Sequence, residues 1–215
     1  MTDAKVHTIY KLANGQRVPS VTTYLGILAK PALIHWAWNL GVQGLDYRKV
    51  KDDASDIGTL VHYLILCDLK QKEPSLEDYT QNQISAAATP MCKYEQWKLE
   101  HTLEPILLET PLVSENFKFG GTPDFYGHYD GKLTLLDFKT SGDVYFENFC
   151  QLAAYERLLK EHGHEVESSR IIRLSKVIDE GFDDRPAGRL DNHWKVFCSC
   201  QEIYELQKLI RRQRE

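Results

Sequence analysis

Two aspartates and a lysine have types and a spacing that could do chemistry. Asp124 stands before the dipeptide Asp130-Gly131, while Asp137 and Lys139 stand after it. Asp-Gly favours a two-residue β-hairpin turn, because both of its positions take positive φ angles. The register set by such a turn places Asp124 directly opposite Asp137. Side chains two residues apart on a strand share a face, so Lys139 joins them.

This group of two carboxylates and an amine carries an excess of negative charge. Opposed residues of an antiparallel pair hold their Cβ atoms roughly 4.5–5.5 Å apart, and like charges at that distance destabilise a sheet. We therefore expect a divalent cation held by oxygen ligands beside the lysine. The alternative is a solvated strand face on which the charges meet by chance.

The elements before the hairpin are mostly helical. Helical periodicity dominates residues 1–100, and the helix expected over residues 55–69 carries His62 beside its apolar stripe. A lone histidine on a helix usually has a structural role. Considered alone, His62 is therefore predicted to be structural and not a metal ligand. A length of 215 residues suits one domain, with residues 104–215 as its core and the helical part as an elaboration.

The elements around and after the hairpin alternate between strand and helix. We expect a helix over residues 144–162, strands over 168–174 and 193–197, an acidic loop over 179–188 and a closing helix from 199. The order predicts an α/β (α+β) fold with a central mixed β-sheet flanked by helices.

The composition argues against several classes of protein. No apolar run approaches the ~20 residues of a membrane span, and the first residues lack a secretory signal pattern, so we expect a cytoplasmic protein without membrane contact. Five scattered cysteines without a CxxC pair indicate neither a disulfide framework nor a zinc site. The net charge of −5 gives no overall attraction to nucleic acid, so such a partner would be held by local basic groups and metal ions.

Four short motifs carry a resemblance to a known family. Gly121-Thr122-Pro123-Asp124, Asp137-Phe138-Lys139, Gln151-Leu152-Ala153-Ala154-Tyr155 and the helical His62 resemble, in order, the motifs of the PD-(D/E)XK nuclease superfamily in its RecB-like branch. Each motif alone is weak, but together they are specific. The segment Val18-Pro19-Ser20-Val21-Thr22-Thr23-Tyr24-Leu25 is similar to the opening of phage exonucleases and of mitochondrial genome maintenance exonucleases.

The resemblance implies a restriction-endonuclease-like sheet and a metal-dependent phosphodiesterase. Asp124, Asp137, His62 and the main-chain carbonyl of Phe138 would bind one or two Mg²⁺ or Mn²⁺ ions, and histidine favours Mn²⁺. Lys139 would position or deprotonate the attacking water, for which a lowered lysine pKa would help.

The resemblance also implies roles for residues around these. Gln151 and Tyr155 would orient the lysine or touch the strand. Glu109 is a weaker candidate for metal binding through a water molecule. The alternative, that Glu109 is an edge-strand carboxylate without a function, has equal weight. Candidate DNA contacts are Ser20, Thr22, Lys30, Trp36, Thr140 and Ser141.

The function implied is a Mg²⁺- or Mn²⁺-dependent DNA exonuclease acting on single strands or ends. It would serve phage or bacterial recombination, repair or replication, with partner proteins of those processes. The alternatives are a structure-specific endonuclease, a non-catalytic DNA-binding module with the same fold, or a site for a small phosphorylated substrate. Cys198-Ser199-Cys200 lacks the spacing of the iron–sulfur relatives, and no GxxxxGK[ST] motif is present, so we expect no cluster and no helicase activity in this chain.

Overall fold

The computed structural model describes residues 8–213, so residues 1–7 and 214–215 of the expected domain lie outside it. The strands are β1 (Tyr10–Lys11), β2 (Arg17–Val18), β3 (Leu103–Leu108), β4 (Leu112–Ser114), β5 (Phe119–Gly121), β6 (Phe125–Tyr129), β7 (Lys132–Lys139), β8 (Ser168–Leu174) and β9 (Phe182–Pro186). The helices are α1 (Val21–Leu25), α2 (Pro31–Val42), α3 (Tyr47–Leu69), α4 (Gln81–Leu99), α5 (Phe146–Glu161) and α6 (Asp191–Arg212). None of these helices, all within residues 8–213, is long and apolar enough to cross a membrane.

A five-stranded sheet in the order β3-β6-β7-β8-β9 forms the centre of the fold. Strands β7 and β8 run parallel, which the crossover through α5 allows, and the other neighbours are antiparallel. Helices α1, α5 and α6 contribute to one buried apolar cluster, and α3 and α4 contribute to a second. The predicted mixed sheet flanked by helices is therefore confirmed.

The hairpin of β6 and β7 has the predicted turn. Asp130 and Gly131 adopt φ angles of 49° and 79°, as a two-residue turn with two positive φ angles requires. The register continues without a shift to Phe125, which lies opposite Leu136. The dipeptide therefore sets the pairing of the two strands as expected.

The strand before this turn is shorter than predicted. β6 begins at Phe125, and the preceding strand β5 pairs with β4 in a separate two-stranded sheet. Asp124 lies one residue outside β6 and follows Pro123, which has no N–H group for a ladder. The prediction that Asp124 lies within a strand opposite Asp137 is wrong in this respect, since Asp124 precedes the start of β6 and reaches β7 with its side chain.

Two glycines let bulky rings lie against β5. A Cβ atom at Gly120 would lie 2.1 Å from Cγ of Tyr10, and one at Gly121 would lie 2.6 Å from Cε1 of Tyr155. Successive residues of a strand point to opposite faces, so the two rings cover β5 from both sides. Glycine is thus required here by space, and it brings α5 close to the segment before Asp124.

Both edges of the central sheet are irregular or charged. β3 pairs with β6 with a register shift between Pro105 and Leu107. β9 lies within the segment predicted as an acidic loop, and that prediction is wrong. Its Asp183 carboxylate accepts from Arg173 Nε of β8 at 2.6 Å. Ion pairing therefore stabilises this strand in place of apolar burial.

The strand predicted over residues 193–197 is also wrong, because these residues begin α6. Phe197 and Cys200 are buried, and Trp194 packs against the same apolar cluster. This spacing of three residues places all of them on one face of a helix. The aromatic and β-branched residues of the segment are typical of a strand. The helical spacing becomes visible only when residues after 197 are included.

Candidate metal centre

The predicted charged side chains meet where α3 lies against the start of β6 and the end of β7. His62 of α3 places Nδ1 3.5 Å from Oδ1 of Asp124. Lys139 places Nζ 2.6 Å from Oδ2 of Asp137, two residues earlier on β7. The structure therefore brings together these four residues, which lie 77 positions apart along the chain from first to last.

Asp124 is fixed by a backbone contact to β7. The Phe138 N–H donates to Oδ2 of Asp124 at 2.8 Å. A strand residue directs its N–H and its C=O toward the same neighbouring strand, since hydrogen-bonded pairs exchange both. The Phe138 carbonyl therefore lies at the same edge of β7 as Asp124, which is the placement that the predicted metal ligand requires.

Glu109 joins this group from the turn after β3. One ligand atom each from His62, Glu109 and Asp124 lie within 4.8 Å of one another. The Glu109 N–H donates to the Asp124 carbonyl at 3.1 Å, and its φ angle is 42°, in the left-handed region that residues other than glycine rarely adopt. Strained backbone of this kind concentrates at functional sites. Glu109 is therefore a more central member of the group than its sequence position indicated.

Asp137 is the buried carboxylate of the centre, with a side chain only 1% exposed. Although Lys139 Nζ lies close to Oδ2, neither oxygen has a hydrogen bond of acceptable geometry within residues 8–213. Burial raises the pKa of Asp137 to about 6, against the lowering effect of the Lys139 charge. Its two oxygens are thus desolvated acceptors that a bound cation would satisfy.

The lysine itself is held in its charged form. Burial lowers the pKa of Lys139, but the carboxylates of Asp137 and Asp124 outweigh burial, and the pKa is raised. A lowered pKa, which would favour a basic amine, is therefore not produced by these surroundings. As an ammonium group, Lys139 can donate hydrogen bonds and offset negative charge.

The histidine and its carboxylate partner form a second charged pair. Burial lowers the pKa of His62, yet the neighbouring Asp124 carboxylate raises it further, so the net shift is upward. Burial alone would raise the pKa of Asp124, but the His62 charge brings it below its usual value. Imidazole must be neutral to bind a metal, so a cation at this position would compete with a proton for His62.

The pair Gln151 and Tyr155 lies one layer behind the carboxylates, on α5. Gln151 Nε2 donates to the Tyr155 hydroxyl at 2.8 Å, across one helical turn. Burial, together with the charges of Asp137 and Asp124, raises the pKa of Tyr155 well above its usual value. Tyr155 therefore remains a neutral hydroxyl close to the aspartates, and Gln151 fixes its direction.

The residues of this centre fit a divalent cation. Two carboxylates and an imidazole converge, and Asp137 adds two oxygens that lack hydrogen-bond partners among the described residues. Carboxylate oxygens suit Mg²⁺, and a mixed set of carboxylates and imidazole also suits Mn²⁺. Which of these residues bind an ion, and how many ions they bind, stays a prediction.

The candidate DNA contacts before α3 are largely engaged within the fold. Ser20 caps the N-terminus of α1 with its side-chain oxygen, and Thr22 is exposed on that helix. Lys30 Nζ lies 3.4 Å from Oε1 of Glu147 on α5. Trp36 is half-buried on α2. These residues are not brought into the carboxylate group, and their contact with DNA stays a prediction.

The two candidates after β7 lie nearer to the centre. Thr140 directly follows Lys139, and a Cβ atom at Gly58 of α3 would lie 3.1 Å from Thr140 Oγ1. Ser141 Oγ donates to the Asp143 carbonyl at 2.7 Å, which stabilises the loop before α5. A DNA contact by either residue remains a prediction.

No protein-family model and no curated protein matches the chain. A solved structure is similar to it. That structure is a Eubacterium rectale protein provisionally named as an exonuclease, with 14% sequence identity and a TM-score of 0.48. The alignment covers 71% of this chain and 66% of that one, so the chain spans about two thirds of that protein's length. A similarity of this size carries no argument about activity, and the RecB-like resemblance rests on the motifs alone.

A cleft of about 830 Å³ lies beside the carboxylate group, which contributes His62 and Glu109 to its lining. His62 and Glu109 line one part of it, and Lys70, Lys72 and Glu73 line another. Sequence analysis did not single out these lysines. The signal available was that Lys70 follows His62 by eight residues, which keeps both near one face of a helix.

Proposed function

We propose that the chain is a divalent-metal-dependent nuclease that hydrolyses phosphodiester bonds of DNA. The observation that carries the proposal is the convergence of His62, Glu109, Asp124, Asp137 and Lys139, of which His62 and Glu109 line an open cleft. Burying several charged groups together costs desolvation free energy, which a bound ligand can offset. A phosphodiester with its cation supplies both the positive charge that the carboxylates need and the negative charge that the lysine needs.

The cation would be held by Asp124, Asp137 and His62, with Glu109 and the Phe138 carbonyl as further donors. When bound, such an ion polarises a phosphoryl oxygen and favours ionisation of water. The buried Asp137 fixes the Lys139 ammonium at 2.6 Å, and this group offsets the charge that grows on the phosphate oxygens in the transition state. Tyr155, held by Gln151, supports the aspartates from behind.

The decisive experiment compares cleavage of DNA by the natural chain with cleavage by Asp137→Asn and Lys139→Gln. Lys132→Gln is the matched control, since Lys132 is an exposed lysine at the opposite end of the same strand. We expect Mn²⁺- or Mg²⁺-dependent cleavage that falls at least about 100-fold in both site variants, because both remove transition-state stabilisation. The control should retain full activity. Unchanged cleavage in both site variants would refute the proposed centre.

We propose an exonuclease acting on single strands or ends, within one domain over residues 1–215. This choice rests on the sequence resemblance, as does a role in phage or bacterial recombination, repair or replication beside partner proteins. The proposed cytoplasmic location rests on the absence of an apolar span and of a signal pattern in the sequence. End-labelled linear DNA and circular single-stranded DNA distinguish the alternatives. Degradation of linear DNA alone supports an exonuclease, whereas equal cleavage of circles identifies an endonuclease. Binding of DNA without cleavage under any divalent ion would favour a non-catalytic module.

A further inference from the structure

The cleft beside the carboxylate group has a wall made by one face of α3. Gly58, Thr59, His62, Tyr63, Leu66, Cys67 and Lys70 line it in that order. Eight residues of helix separate His62 from Lys70, which corresponds to about 12 Å along the axis at about 1.5 Å per residue. The wall is therefore a continuous surface that begins at the reacting centre and ends at a positive charge.

The cleft end remote from His62 is rich in lysine. Lys70 and Lys72 are exposed, and neither takes part in an ion pair within residues 8–213. Glu73 adds one opposing carboxylate at the same end. Lys70 lines the same cleft as Glu109 and His62, so it faces the same space as these two members of the carboxylate group.

The segment that carries these lysines is tied to the cleft wall. Tyr63 accepts the Ser75 N–H at 3.0 Å through its hydroxyl, and its ring stacks on Tyr79 at 6.3 Å between centroids. Gln71, between the two lysines, has a φ angle of 53°. A contact across twelve residues and an unusual turn therefore fix how the chain leaves α3, which keeps Lys72 beside the cleft.

The helix end alone does not explain this arrangement. A cation suits a helix C-terminus, so Lys70 by itself would need no ligand. Lys72 lies beyond the helix, yet it lines the same cleft and has no carboxylate partner among the described residues. Two lysines against one carboxylate, Glu73, leave a positive charge at this end of the cleft, whereas the other end lies beside the carboxylate group.

We propose that Lys70 and Lys72 bind a backbone phosphate of the polynucleotide whose cleavage is proposed above. The inference rests on that function and names its substrate class as a single strand several nucleotides long. A distance of about 12 Å corresponds to about three stacked nucleotides at roughly 3.4 Å each. A cleft of about 830 Å³ is in the range that holds a small organic ligand, which is enough for a few nucleotides of one strand.

The contact carries no base specificity. Lysine meets phosphate as a point charge, and phosphate contacts position a strand without reading its sequence. Tyr63, Leu66 and Pro111 supply apolar surface along the cleft, against which bases can lie. Because the chain has a net charge of −5, these lysines provide local attraction that the whole molecule lacks.

The test measures binding and cleavage separately for Lys70→Gln, Lys72→Gln and the double variant. Lys132→Gln is again the control, as an exposed lysine outside the cleft. Binding of a fluorescent single-stranded oligonucleotide of about ten nucleotides is followed by anisotropy in Ca²⁺, between about 50 mM and 200 mM salt. Cleavage of the same strand and of a dinucleotide is measured in Mn²⁺.

We expect the double variant to bind the long strand about tenfold more weakly, and the slope of its salt dependence should fall by about 0.7 for each phosphate that it no longer binds. KM should rise with kcat unchanged, and the dinucleotide should be cleaved as by the natural chain. Unaltered affinity and salt dependence in the double variant, with cleavage intact in the natural chain, would overturn this inference alone. A natural chain that neither binds nor cleaves the strand would overturn the proposed function together with it.

Discussion

Glu109 combines a strained backbone with a carboxylate that lies next to another, so replacing it should stabilise the metal-free protein. A left-handed conformation costs a non-glycine residue about 1–2 kcal/mol, while glycine adds about 0.5–1 kcal/mol of unfolded-state entropy. Glu109→Gly should therefore gain at most about 1.5 kcal/mol from the backbone alone. Removal of the buried charge adds to this gain.

The charge effect has a defined sign. Burial raises the pKa of Glu109, as does the Asp124 carboxylate, so ionisation of Glu109 opposes folding. This penalty is absent below the pKa of the unfolded chain and is complete above the raised pKa of the folded chain. Glu109→Gln keeps the backbone strain and removes the charge, so its stabilisation should appear only as pH rises through that interval.

Thermal unfolding in EDTA measures both effects. For a chain of this size, about 1 kcal/mol corresponds to a Tm change of about 2–4 °C. Lys118→Gly is the matched control, since Lys118 has a φ angle of 59° and an exposed side chain outside the centre. It should show the backbone gain without the pH dependence. The reasoning is refuted if Glu109→Gln is less stable than the natural chain in EDTA at neutral pH.

Addition of Mn²⁺ should reverse the order of stability. A ligand at about 100 times its Kd stabilises the folded state by about 2.7 kcal/mol. The natural chain should gain this stabilisation, whereas Glu109→Gly and Glu109→Gln should gain less, because each lacks a donor. Lys118→Gly should respond to Mn²⁺ as the natural chain does. Equal Mn²⁺ responses in all four proteins would exclude Glu109 from the ion site.

Three further substitutions test the fold around the centre. Gly121→Ala places a methyl group against the Tyr155 ring, so it should lower stability by about 1–3 kcal/mol and reduce cleavage; unchanged values in urea unfolding and in the nuclease assay would contradict the contact. Asp183→Asn removes the carboxylate charge that pairs with Arg173 and keeps an oxygen that can accept from it, so it should cost about 1 kcal/mol at neutral pH; this difference should vanish as pH falls below the lowered pKa of Asp183 in the folded chain, and a constant difference would argue against the ion pair with Arg173. Leu135→Ala in the centre of β7 should cost about 2–5 kcal/mol without a pH dependence, and a loss under about 1 kcal/mol would contradict its complete burial.

The hairpin was predictable because its information is local. Asp130-Gly131 selects a turn with two positive φ angles, and that turn determines which residues of β6 and β7 face each other. The approach of His62 to Asp124 depends on how α3 packs on the sheet, and no spacing in the chain encodes it. The motif resemblance supplied that placement, and the 3.5 Å contact agrees with it.

The errors have physical causes as well. β9 was missed because its Asp183 and Asp184 are held by arginines of β8, whereas sequence patterns detect strands by apolar burial. Residues 193–197 were misassigned because five residues are too few to separate a strand from the first turns of a helix. The sequence does not predict the central position of Glu109 in the site. A positive φ angle is expected of glycine and not of glutamate, so nothing in the sequence indicates one at residue 109.

The two outer strands of the central sheet have features that oppose pairing with a second molecule. β3 contains Pro105 and a register shift, and β9 presents charged side chains and ends at Pro186. Open strand edges recruit other chains into growing aggregates unless proline, bulges or charge prevent pairing. Each edge has at least two of these features, so the sheet is protected from extension by a second molecule. The same arginine–aspartate contacts that hold β9 in place thereby also favour solubility over fibre formation.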